Sequence, residues 1–346
     1  MKKKVLVGIS GGVDSAVSAY LLKREGYEVI GATIQLNDIG EKELEEIKDI
    51  CKKMKIEHKI ITFKKEFQKN VIDYFLSEYS RGNTPSPCII CDEKIKFGSF
   101  LKYAEKLECD YIATGHYVKK IYSEKYKSYG LKKGKDVKKD QSYMLYRLSK
   151  NQIQKSLFPL SDYTKEEIKK IAEENNLINS KKKESQGICF AKKGYIEYLK
   201  RKLGNEIKKG KFVDKKGNII GEHNGYQLYT IGQRRGLGLN LGRPYFIIDI
   251  IPSKNEIMLG EFSELLSKKV EIRDWKLPFL KIKKINNMSV IAKPRFSSKG
   301  HKAKLNYIEG KLEIEYDFAN AENTRGQHIV FYDKDGIVLG GGIIAK

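Results

Sequence analysis

Gly8-Ile9-Ser10-Gly11-Gly12-Val13-Asp14-Ser15 decides the fold. It stands between residues 5–9, a short run of β-formers, and residues 16–27, where Val17, Tyr20 and Leu21 recur at helical spacing until Gly26 stops the pattern. A glycine-rich turn leading from a strand straight into a helix is where an open parallel sheet binds phosphate. Gly11 and Gly12 let the backbone approach an anion, and Ser10 and Ser15 offer hydroxyl donors. Asp14 would repel bare phosphate, which suits it to Mg²⁺ or to capping the turn. Outward from this stretch the alternation continues. Residues 28–36 read as a strand, 41–55 as a helix (Leu44, Ile47, Ile50, Cys51, Met54), 57–63 as a strand, 65–80 and 92–108 as helices and 110–114 as a strand. The expected fold is a doubly wound α/β parallel sheet with its phosphate turn after the first strand.

A chain of 346 residues exceeds one ordinary core, so further domains are expected. Residues 1–200 read as the nucleotide-binding catalytic domain, with an irregular excursion at 119–150 in which 128–136 looks like a hairpin. Helical signals return at 142–155, 164–176 and 194–203. Residues 201–263 then read as a small central β domain. Residues 264–346, with alternating runs such as KLEIEYDF and QHIVFYD, read as a second β domain, expected to close into a barrel.

Charge is unevenly placed along the chain. The net is +23, yet residues 1–118 carry 19 basic and 18 acidic residues, 119–150 carry 11 and 3, and 200–346 carry 28 and 16. The excess points to a polyanion held by the later segments; lysine decoration of solvated faces is the alternative. A mean hydropathy of −0.51, with no apolar run near twenty residues, excludes a membrane-spanning helix. The basic start MKKKVLV reads as a first strand, because Gly11, Gly12 and Asp14 interrupt any signal-length apolar stretch. Five cysteines are too few for a disulfide scaffold, so a reducing cytoplasmic location is expected.

Cysteine chemistry is suggested at two places. In Thr84-Pro85-Ser86-Pro87-Cys88-Ile89-Ile90-Cys91-Asp92, prolines precede a helical pattern, and a thiol near a helix N-terminus ionises more readily. A single CxxC is ambiguous between a redox pair and half a metal site. Cys189 lies in the Gly-bounded apolar run Gly187-Ile188-Cys189-Phe190, read as a strand, just after the basic run 181–183. Cys51 and Cys109 fit apolar faces and read as core.

These blocks together resemble one family. The loop at 8–15 lacks the GK[ST] ending of a Walker motif and is similar to the PP-loop of ATP pyrophosphatases. With TPSPCIICDEKIKF, DYIATGHY, KDQSYMLY, SLFPL, KKKESQGICF, YTIGQRRGLG and LGGGII, in order from residue 5 to about 345, the chain resembles the tRNA-specific 2-thiouridylases, which replace the C2 oxygen of the wobble uridine with sulfur. The resemblance implies ATP, with Mg²⁺, at Gly8, Ile9, Ser10, Gly11, Gly12, Val13, Asp14, Ser15, Ile34 and Gly115. It implies Cys91 as nucleophile and Cys189 as the persulfide carrier, the two also forming a disulfide. Ser86, Pro87 and Cys88 would face the target base; His116, Lys139, Asp140, Gln141, Arg295, Phe296 and Gln327 would touch tRNA. A persulfide-donating protein is the implied partner; DNA and membranes are not.

Three departures accompany the likeness. Ser86 and Asp92 stand where the family usually has Asn, and Cys88 where many members have Asp; the connection at 36–56 is also shorter than usual. The residues themselves leave two other chemistries open. One is a PP-loop ligase with a nitrogen nucleophile, which would need neither Cys91 nor Cys189. The other is an iron–sulfur cluster on Cys88, Cys91 and Cys189.

Overall fold

The computed structural model describes residues 2–38, 40–177, 187–240, 242–282 and 285–345. Its first strand, β1 (Lys4–Gly8), is apolar on both faces, with Val5, Leu6 and Val7 wholly buried, as a central parallel strand requires. β2 (Glu28–Gln35) and β3 (Glu57–Thr62) lie on one side of it. β4 (Tyr111–Ala113) and, after a hairpin of β5 (Val118–Ser123) and β6 (Ser128–Lys133), β7 (Ser156–Leu157) lie on the other. The order is β3-β2-β1-β4-β7 and every pairing is parallel. The chain therefore reverses direction of growth at β1, and the turn after β1 opens at a topological switch point, where such sheets bind ligands.

Most expected helices form, with informative shifts. Residues 41–55 give the helix Glu41–Lys53, and 164–176 give Lys165–Glu174, started by a capping box of Thr164 and Glu167. The helix expected at 92–108 begins earlier, at Pro87, because proline suits the first helical position. It runs as Pro87–Cys91, a π-helical stretch Asp92–Ser99 and Phe100–Lys106. The helix expected at 142–155 shrinks to Lys150–Gln154, where Ser149 and Gln152 form a capping box. The hairpin turns at 124–127, with Lys127 in the left-handed region at φ 47°, so 128–133 is its second strand rather than its turn.

The chain divides into two compact units: Met1–Val71 with Cys88–Gln186 and Asp335–Val338, and Ile72–Pro87 with Gly187–Lys334 and Leu339–Lys346. The second contains a sheet of β8 (Gly210–Val213), β9 (Ile219–His223), β10 (Phe246–Ile251) and β11 (Glu256–Gly260) in the order β10-β11-β8-β9. It also contains a closed barrel of β12 (Ser267–Lys276), β13 (Met288–Lys293), β14 (His301–Ile308), β15 (Lys311–Asn320), β16 (His328–Tyr332) and β17 (Val338–Ile344). In β15 the period-two pattern is literal: Leu312, Ile314 and Tyr316 face the core while Glu313 and Glu315 face out.

Candidate active site

The loop after β1 is held by its own hydroxyls. Ser15 Oγ donates to the Gly12 carbonyl (2.9 Å) and accepts from the Ser10 backbone N–H (3.1 Å), while Gly11 takes φ 72°, a conformation glycine reaches without strain. Gly12 is the N-cap of the helix Val13–Arg24, so that helix's first N–H groups open at the loop. Ile9, Gly11, Val13 and Ser15 are buried and Ser10 is exposed. Gly115, just beyond the end of β4, packs directly on the loop: a Cβ there would stand 3.0 Å from Asp14 backbone carbon and 3.1 Å from the Ser15 nitrogen. Ile34 lies half-buried near the end of β2, on the same C-terminal edge of the sheet as Gly8. The loop residues, Gly115 and Ile34 thus share one edge.

Sequence reasoning missed the partners of Asp14. Lys165 Nζ lies 2.7 and 2.8 Å from its two carboxylate oxygens, and Tyr117 donates its hydroxyl to Oδ1 at 2.7 Å. Lys165 is buried, at the first position of the helix Lys165–Glu174. The carboxylate is engaged by an ammonium and a phenol, so the residues present do not fit a magnesium ion on Asp14. The same ion pair offsets the acid's repulsion of phosphate.

A second polar cluster surrounds Cys91. Because the helix starts at Pro87, Cys91 is its fifth residue, and Cys88 is the thiol in its first turn. Cys91 is buried and Cys88 half-buried. Asp92, also buried, lies 2.8 Å from Lys96 Nζ and 3.6 Å from His116 Nε2. Burial opposes its ionisation, but Lys96 and His116 outweigh this and hold its carboxyl below the usual range. His116 Nδ1 hydrogen-bonds Thr114 Oγ1 at 2.8 Å. His116, implied as a tRNA contact, is buried in the free chain with Nε2 turned toward Asp92. Next to this cluster, buried Arg147 donates to Glu93 at 2.5 Å.

Other implied RNA contacts divide into those already bonded and those still presented. Asp140 is buried and accepts from the N–H and hydroxyl of Ser142, and Gln141 accepts from the Tyr117 N–H at 3.0 Å; Lys139 is half-buried. In the second unit Gln327 donates to the Thr84 carbonyl and accepts from Ser86 Oγ, both at 3.0 Å, fixing the stretch before Pro87. Arg295 donates to the carbonyls of Glu322 and Ala321. Phe296 remains 49% exposed beside a groove of about 930 Å³ that Arg234 and Arg235 also line.

Cys189 is exposed, but not on the expected strand. Residues 188–191 form a turn closed by the Ala191 N–H on the Ile188 carbonyl (2.9 Å), and the ring of Phe190 is anchored against Phe75 and Tyr198. A small residue beside a well-packed aromatic is what turns an apolar run into a turn that presents its cysteine. The basic run 181–183 lies outside the described residues. Among those residues, no group of three or more His, Cys, Asp or Glu side chains is placed to hold a metal ion.

The chain matches three family models in order: the tRNA methyl transferase HUP domain over residues 3–193, the tRNA methyl transferase PRC-barrel domain over 196–261 and the aminomethyltransferase beta-barrel domain over 268–344. It is 51% identical over 343 residues to a tRNA-specific 2-thiouridylase MnmA 2 of Fusobacterium nucleatum, covering 99% of both chains. The chain belongs to the tRNA-specific 2-thiouridylase family. A 2-thiouridylase of Clostridioides difficile is 43% identical over 360 residues, covering 100% of this chain and 99% of its own. Among solved structures, a 4-thiouridine synthetase bound to RNA and ATP matches 57% of this chain and 50% of its own at 20% identity, with a TM-score of 0.36. Family membership makes this a PP-loop protein that uses ATP, with a HUP-type parallel sheet followed by PRC-barrel and β-barrel domains.

Proposed function

We propose that the chain thiolates the C2 position of the wobble uridine in tRNA at the expense of ATP, giving 2-thiouridine, AMP and pyrophosphate. The observation that carries this reading is an intact phosphate loop, closed by Gly115, in a chain that also retains the buried Cys91 and the exposed Cys189. The C2 carbonyl of uracil is a poor electrophile with a poor leaving group, and adenylation by ATP corrects both. The loop at 8–15 binds the phosphates through its N–H groups, and the positive end of the helix Val13–Arg24 stabilises the charge that develops as pyrophosphate departs. Lys165 and Tyr117 keep Asp14 from opposing it.

Sulfur then arrives on Cys189 as a persulfide, delivered by a donor protein at this exposed turn. Its terminal sulfur adds to C2 and AMP leaves with the former carbonyl oxygen. The Cys91 thiolate attacks Sγ of Cys189 and the S–S bond to the base breaks. This releases 2-thiouridine and leaves a Cys91–Cys189 disulfide, which a dithiol reductant returns to two thiols. The target uridine must leave its anticodon stack to be reached, with Ser86, Pro87 and Cys88 facing it. A nitrogen-ligase reading gives neither thiol a task.

The test uses Cys91→Ser and Cys189→Ser proteins with ATP, a persulfide donor and unmodified tRNA, measuring 2-thiouridine by nucleoside analysis. Both are expected to lose thiolation by at least about 10³-fold, in the range for removal of a nucleophile, while still binding ATP. Wild-type thiolation by Cys189→Ser would end the relay.

A further inference from the structure

The helix that carries Cys91 changes its winding directly after that residue. In the stretch Asp92–Ser99 the backbone bonds run from residue i+5 to residue i, as the Phe100 N–H on the Ile95 carbonyl shows. In an α-helical turn the residue stacked on Cys91 would be Ile95, which here is wholly buried. The wider turn sets Lys96 there instead. Lys96 Nζ is fixed 2.8 Å from Asp92 Oδ1, and its side chain is 36% exposed, so it reaches the edge of the cluster that holds Cys91 and Cys88. Burial lowers its proton affinity, but Asp92, then Cys91 and Cys88 outweigh this and raise it. The winding is supported from outside: Gln152 Nε2 donates to the carbonyls of Glu93 (3.1 Å) and Phe97 (2.8 Å).

We infer that Lys96 is a positioning residue for the sulfur chemistry: the π-helical turn holds its ammonium over Cys91 and Cys88, braced by Asp92 and His116, so that Cys91 gives its proton to solvent and stands as a thiolate. The inference rests on reading Cys91 as the nucleophile. Among the described residues, Lys96, Asp92 and Cys88 on the same helix and His116 from the segment after β4 are charged or titratable groups near the thiol. Glu93 is occupied by Arg147 at 2.5 Å and approached by Lys94 at 3.4 Å. Lys96 is thus a cation that the winding sets toward the sulfur, and Asp92 the anion that anchors it while opposing the thiolate.

The experiment follows alkylation of Cys91 by iodoacetamide across pH in the full chain, resolved from Cys88 by fragment-ion mass spectrometry, without tRNA or ATP. The midpoint in pH reports thiolate formation independently of how fast the reagent reaches the sulfur. Lys96→Met is expected to raise the midpoint by roughly one unit or more, the effect of removing an opposite charge at close range; Lys96→Arg is expected to restore most of it. Asp92→Asn is expected to move the midpoint down with the circular dichroism spectrum and unfolding midpoint kept near wild type, which separates the loss of the anion from loosening of the fold, and it serves as the second variant should Lys96→Met fail to fold. A Lys96→Met midpoint within about 0.3 unit of wild type, or an upward shift in Asp92→Asn, overturns the inference. Because the readout needs no thiolation, its failure is separable from that of the proposed reaction, which Cys91→Ser tests alone.

Discussion

At the residue scale, the phosphate loop was legible because its chemistry is local: eight consecutive residues carry the turn, the donors and the helix start. Its charge balance was not, because Lys165 lies 151 residues from Asp14 and only the sheet brings them together. The capping box at Thr164 and Glu167 marks where that helix begins, but nothing in the string says that its first lysine points at the loop. The consequence can be measured. Lys165→Met leaves the Asp14 carboxylate uncompensated beside the phosphate site, and ATP affinity is expected to fall roughly tenfold, about 1.4 kcal/mol. Asp14→Asn in the Lys165→Met background is expected to recover most of this in a direct binding titration. Equal affinity in wild type and Lys165→Met would remove Lys165 from the account of ATP binding. The cysteines follow the same logic of position. Burial pushes the Cys51 thiol up to about 11, which suits the core role its helical spacing suggested, whereas Cys189 is exposed.

At the element scale, periodicity placed β1 to β4 of the parallel sheet but not the short β7, and alternation marked β15, whereas β16, also read as alternating, is buried along its whole length. Periodicity failed where winding or ends depend on distant side chains. The π-helical stretch Asp92–Ser99 has an apolar pattern that reads as α-helix, and what sustains its widened turns is Gln152, some sixty residues on. That side chain is itself fixed by the capping box, its Oε1 accepting from the Ser149 N–H at 2.8 Å. One amide therefore joins the start of one helix to the winding of another. Gln152→Leu leaves two carbonyls with a lost donor and weakens the cap, and a stability loss of about 1–3 kcal/mol is expected by denaturant unfolding. Gln152→Glu keeps the cap acceptor but not the donor, so it should recover only part. A loss below about 0.5 kcal/mol for Gln152→Leu would mean that the helix holds its own winding. The cysteine turn at 188–191 was misread for a related reason: Phe190 is apolar because it packs on Phe75 and Tyr198, not because it belongs to a strand.

At the scale of the whole molecule, the charge pattern is the property no single element contains. Residues 1–118, which include the phosphate loop and the cysteine helix, are nearly neutral, while the following 32 residues add a net +8. His116, Asp140 and Gln327 hold internal bonds in the free chain, and the long-range attraction for a polyanion is expected to come from surface lysines. Lys138 is exposed and Lys139 half-buried, in a turn whose backbone N–H groups are tied to Asp136 rather than to the phosphate loop. Each phosphate neutralised by such a lysine releases counterion, so the logarithm of tRNA affinity falls with the logarithm of salt at a slope set by the number of contacts. Replacing Lys138 and Lys139 by Gln should therefore weaken tRNA binding several-fold at low salt and reduce that slope by up to about two, with the difference from wild type shrinking as salt rises. ATP affinity should stay unchanged, since the backbone of the turn, held by Asp136, does not depend on either ammonium. A slope that does not move, or a loss of ATP binding with tRNA binding intact, would show that the basic excursion serves the nucleotide rather than the RNA.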